Sequence, residues 1–135
     1  MNLKTWSWIF AIVFLAIGIL GFVPGITNAD GNLLGIFHVD TVHNIVHILT
    51  GAIALLVAVG SAKSQTAFFK TFGVIYAIVA IVGLVQGDTV LGIFAVNMAD
   101  HVLHVAIALI ALYLGFVAGK KNAPMPMQEN VTPMS

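Results

Sequence analysis

Four histidines of this chain come in two close pairs. His43 and His47 are four residues apart, and His101 and His104 are three apart. On a helix either spacing puts both imidazoles on one face, as a metal ion requires of its ligands. Asp100 stands beside the second pair. Together His43, His47, Asp100, His101 and His104 supply the nitrogen and oxygen donors that zinc, copper, iron or manganese accepts. His47 and His104 are also suited to clamp a haem iron axially, although the chain has no cysteine and no haem-attachment motif. If their ring nitrogens come within about 4–5 Å, they can share one ion, since Zn–N bonds are near 2.0–2.1 Å. The same residues have a plainer reading, in which His43, Asn44, His47, Asp100, His101 and His104 cross-link helices by hydrogen bonds worth about 0.6–2 kcal/mol each. A third is a proton-linked transport subunit or pH sensor, because imidazole changes charge near neutral pH. His38 lies outside both pairs.

Other chemistries lack their residues. Without cysteine there is no thiolate ligand or thiol nucleophile, and without arginine no bidentate clamp for carboxylate or phosphate. Ser61 and Ser64 are far along the chain from every histidine, so no nucleophile–base pair forms. The sequence leans away from an enzyme.

The histidines need elements to position them, and a repeat supplies these. Leu34-Gly35-Ile36-Phe37-His38-Val39-Asp40 returns 57 residues later as Leu91-Gly92-Ile93-Phe94-Ala95-Val96-Asn97. His47 and His104 each stand seven residues beyond the last residue of their copy. Asp40 and Asn97 are matched helix N-caps, accepting hydrogen bonds from the first free N–H groups of the helices that carry the histidines. Such self-similarity predicts two related halves.

Composition sets the solvent. The chain is 60% hydrophobic and 7% charged, with a mean hydropathy of +1.07, whereas soluble domains carry about 25% charged residues. Four apolar runs, Trp6–Val23, Thr41–Gly60, Ala67–Val85 and Met98–Ala118, each fit the ~20 residues that cross a bilayer core. Small residues step at helical intervals along all four, as close helix packing in lipid requires. On the second and fourth runs that stripe continues into the histidines, so His43, His47, His101 and His104 are expected to face the bundle interior. The first run aligns with the third at a shift of 62 residues, which favours a retained span over a cleaved signal peptide.

All five cations, Lys4, Lys63, Lys70, Lys120 and Lys121, flank the first, third and fourth spans on one side, and the connections 24–40 and 86–97 have none. The positive-inside rule puts both termini in the cytoplasm. The predicted fold is all-α: a four-helix transmembrane bundle over residues 1–119, built from two parallel-oriented two-helix repeats at about 6–60 and 67–118. Residues 120–135, with Pro124, Pro126 and Pro133, read as a disordered cytoplasmic tail. The expected partner is the lipid bilayer, with a homo-oligomer or a membrane partner protein left open. Zero net charge and no basic patch exclude nucleic acid.

The motif Leu34–Asp40 followed by Val42-His43-Asn44-Ile45-Val46-His47, with its later counterpart Asn97-Met98-Ala99-Asp100-His101-Val102-Leu103-His104, resembles a family of small bacterial membrane proteins described as domain of unknown function 4383. The resemblance runs from the first span through the fourth. It implies a four-span protein of a bacterial cytoplasmic membrane and carries no activity or site residue with it. The expectation from sequence is therefore an integral membrane protein whose His/Asp cluster closes the extracytoplasmic end, with a structural or interaction role first and metal or haem binding second.

Overall fold

Each long helix begins at a side chain that satisfies its free N–H groups. In a computed structural model, which describes residues 2–121, Asn2 caps α1 (Leu3–Leu20), Asp40 caps α2 (Thr41–Ala58) and Ser61 caps α3 (Ala62–Gln86). Asn97 caps α4 (Met98–Leu112), and Asp100 completes the capping box by accepting from the Asn97 N–H. α4 runs on through a π-helical turn, Tyr113–Ala118, into a last helical turn, Gly119–Lys121. All four helices are long and apolar enough to cross a membrane, and the chain is a multi-pass membrane protein whose lateral surroundings are lipid. The tail expected over 120–135 lies outside the described residues from 122 onward.

Helix boundaries differ from the hydropathy runs where caps and turns intervene. α1 spans Leu3–Leu20 rather than 6–23, because Asn2 starts it early and the Val23 carbonyl is taken by the N–H groups of Ile26 and Thr27 in a turn. α3 begins at Ala62, five residues before its apolar run, because the Ser61 side chain accepts from the Ser64 N–H. Lys70 therefore lies inside α3 rather than between spans, with its ammonium 5.5 Å from the Phe116 ring centroid, a cation–π contact that also lets its stem lie along the helix.

Two short antiparallel hairpins join the helices at the histidine end. β1 (Asn32–Leu33) pairs with β2 (Phe37–His38), and β3 (Thr89–Val90) pairs with β4 (Phe94–Ala95). Their turns match: Leu34 and Leu91 both have φ of 54°, followed by Gly35 at 72° and Gly92 at 66°. Positive φ at both central residues suits the twist of a tight hairpin, and a leucine there is uncommon.

Within each half the helices touch through reciprocal glycines. A Cβ on Gly18 of α1 would lie 2.9 Å from the Asn44 carbonyl oxygen, and one on Gly51 of α2 would lie 2.7 Å from the Leu15 nitrogen. In the other half, a Cβ on Gly73 of α3 would lie 2.8 Å from the Leu112 nitrogen, and one on Gly115, inside the π-helical turn, 2.5 Å from the Lys70 nitrogen. Such backbone approach drives association where lipid removes the hydrophobic force. Between the halves the contact is aromatic. Phe10 and Phe14 of α1 meet Phe69, Phe72 and Tyr76 of α3 edge-on, with centroids 5.2–5.7 Å apart.

Candidate functional site

The N-terminal turns of α2 and α4 converge with both hairpins at one end of the bundle, and side chains from each half close on backbone groups of the other. Asp40 Oδ1 accepts the His43 N–H at 2.8 Å, and Oδ2 accepts the Ala95 N–H of the opposite hairpin at 2.6 Å. Asp100 Oδ2 accepts the Asn97 N–H at 2.8 Å and, across the interface, the His38 N–H at 3.0 Å. Asn97 takes the Asp100 N–H on its oxygen and donates its amide to the Ile36 carbonyl at 2.8 Å. These exchanges fix the height and rotation of α2 and α4 relative to each other.

Below this bracket the histidines divide. His43, His47 and His104 come together, each offering a ring nitrogen such that the three lie within 4.8 Å of one another. All three are buried, with 1%, 7% and 3% of their surface exposed. His47 and His104 are each six residues into their helices, about 9 Å down the axis. The His43 and His47 ring centroids are 4.5 Å apart, and those of His43 and His104 6.0 Å.

His43 has a fixed tautomer. Its Nδ1 is 3.1 Å from both the His38 and the Ala95 carbonyl oxygens, one from each hairpin. Carbonyls only accept, so Nδ1 carries the proton and Nε2 keeps its lone pair. A ring held this way by a backbone carbonyl is the usual outer-shell arrangement of a metal-binding histidine. The Nδ1 atoms of His47 and His104 are buried without a hydrogen-bond partner among the described residues.

The remaining two members of the five-residue set do other work. His101 Nε2 donates to the Gly87 carbonyl at 2.6 Å, which ties α4 to the end of α3. Asp100 spends Oδ2 on the two N–H groups above. His38, half-buried on β2, has Nδ1 3.3 Å from Asn32 Oδ1. Asn44 is buried against Gly21, with its Oδ1 unpartnered. The structure thus gathers three of the five metal candidates and leaves His101 and Asp100 in the scaffold.

A cavity of about 490 Å³ opens beneath the three imidazoles. It runs between α2 and α3, from His43, His104 and Phe94 at the hairpin end past Thr50, Phe72 and Tyr76 to Val57 and Ser64. Tyr76, buried to 6% exposure, sets its ring edge-on to His104 at 5.7 Å. Sequence reasoning missed Tyr76 and Phe94. Tyr76 was visible only as the hydroxyl-bearing member of an aromatic stripe with Phe69 and Phe72 at helical spacing.

No curated protein and no solved structure matches the chain. Residues 4–117 match the family model described as domain of unknown function (DUF4383).

Proposed function

The chain belongs to the DUF4383 family, and we propose that this member holds a transition-metal ion on His43, His47 and His104, within the extracytoplasmic half of a bacterial cytoplasmic membrane. The orientation, with both termini in the cytoplasm, rests on the placement of the lysines. The observation that carries the metal reading is that these three buried ring nitrogens cluster within 4.8 Å while His47 and His104 make no hydrogen bond among the described residues. If interhelical hydrogen bonding were the purpose of the cluster, His47 and His104 would each have at least one partner, as His101 has through Nε2 although its Nδ1 is unpartnered too. Unpaired polar atoms buried in an apolar bundle are costly, and a shared cation gives the rings of His47 and His104 a partner. Three ligands on one ion at 2.0–2.1 Å lie about 3.3–3.6 Å from one another, so the widest pair must close by about 1.2–1.5 Å.

Three imidazoles without thiolate favour zinc, copper or iron over magnesium or calcium. Three protein ligands also leave a coordination position open, as in zinc sites that bind an exchangeable ligand. A haem held by His47 and His104 is the alternative that an absorbance spectrum of the same preparation tests.

The expected result is close to one equivalent of transition metal per chain in protein purified without chelator, read by elemental analysis. His47→Ala and His104→Ala each lower that affinity at least tenfold. Loading to one hundred times the dissociation constant stabilises the fold by about 2.7 kcal/mol, seen as a higher unfolding midpoint that a chelator reverses. Metal-free protein whose midpoint is unchanged by zinc, copper or iron overturns the reading.

A further inference from the structure

We infer that the cavity between α2 and α3 is a binding site for a lipid-soluble quinone, with its head ring at the three imidazoles and Tyr76 and its chain running along the groove toward Ser64. The inference shares residues with the metal reading but does not depend on an ion being present.

The cavity is elongated. Along α2 its walls extend from His43 to Val57, about 21 Å of helix. That length suits an extended hydrocarbon tail lying along the groove. The volume also falls within the 300–1,000 Å³ of ordinary small-molecule sites.

Charge complementarity selects the head. No Lys, Arg, Asp or Glu lines the cavity. A carboxylate or phosphate there would be buried with no fixed countercharge, which is strongly unfavourable. A neutral head with carbonyl or hydroxyl oxygens meets suitable partners instead. The Tyr76 hydroxyl has no hydrogen-bond partner among the described residues, and neither does buried Nδ1 of His47 or His104. Phe94, Phe72 and Tyr76 stand around the same end, and flat apolar faces suit a planar ring. Lower down the walls are Ile53, Val57, Ala67 and Phe68, which suit an isoprenoid or alkyl chain.

The test uses the full-length protein in detergent micelles with decylubiquinone as probe, palmitate as the charged single-chain comparison, and native mass spectrometry as the readout. The expected result is a one-to-one decylubiquinone adduct and at least tenfold weaker palmitate binding. Thr71 is exposed on the cavity wall, so Thr71→Trp fills the groove without touching the histidines and removes the adduct. Tyr76→Phe keeps the ring and weakens binding about tenfold, as expected for one lost hydrogen bond. The inference is overturned by no adduct, by an adduct insensitive to both variants, or by palmitate binding equally well. Metal content measured on the same samples keeps the two readings apart: metal without quinone sinks this inference alone, and quinone without metal sinks only the previous one.

Discussion

Exchanging the residues at positions 40 and 97 is expected to destabilise the protein in both directions, by about 1–3 kcal/mol for Asp40→Asn and by under about 1 kcal/mol for Asn97→Asp, although each introduces what already stands at the matching place. The two carboxylate oxygens of Asp40 face two donors, the N–H groups of His43 and Ala95. In Asp40→Asn one of those donors meets an amide nitrogen and goes unpaired. Asn97 faces one donor and one acceptor, the Asp100 N–H and the Ile36 carbonyl. In Asn97→Asp the carbonyl meets a carboxylate oxygen and a donor is lost. Leaving a buried polar group unsatisfied costs about 1–3 kcal/mol, and bonds to charged groups stand at the upper end; the Asp40 bonds are part-buried, whereas the Asn97–Ile36 bond is exposed and water offsets its loss. The double exchange does not rescue, because neither mismatch contacts the other. Unfolding midpoints in mixed micelles measure these effects. A swap that leaves the midpoint where it was shows that the bracket bears no part of the fold.

The second large effect lies at the glycine contacts. Gly115→Ala places a Cβ 2.5 Å from the Lys70 nitrogen and 2.8 Å from the Phe69 carbonyl carbon. Gly51→Ala places one 2.7 Å from the Leu15 nitrogen. In each case the obstacle includes backbone, so the helices must separate rather than a side chain turn aside. Overpacking of this kind costs about 1–3 kcal/mol and sometimes more, and here the upper end or beyond is expected. Val85→Ala, on a side chain 81% exposed, is the comparison: it removes lipid contact only and is expected to change stability by under about 0.5 kcal/mol. Equal midpoints for Gly115→Ala and Val85→Ala refute the packing account.

The spans and the buried histidine faces were readable from the sequence because both follow from helical period. Positions 43, 47, 51, 54 and 58 share a face, as do 101, 104, 108, 111 and 115, and all ten are buried. Which imidazoles share a centre was not readable. His101 and His104 have the same claim from spacing, and only the position of the Gly87 carbonyl, fourteen residues back at the end of α3, draws His101 away. The hairpins were missed because their three-residue loops, 34–36 and 91–93, put leucine rather than asparagine or aspartate at the first positive-φ position. The cavity is a property of where α3 sits relative to α2, set by aromatic contacts between the halves, and no local pattern encodes it.

The crossed bonds between the hairpins also bear on biogenesis. A nascent chain that has inserted only α1 and α2 holds an Asp40 oxygen still waiting for Ala95, a His43 ring N–H with one of its two carbonyl acceptors, and a His38 N–H still waiting for Asp100. Those acceptors and donors emerge from the ribosome some 52–62 residues later. The early helical pair is thus an unfinished product, with polar groups at its hairpin end unpaired until the second pair of helices docks. The hairpin bracket is complete only once both helical pairs are in place.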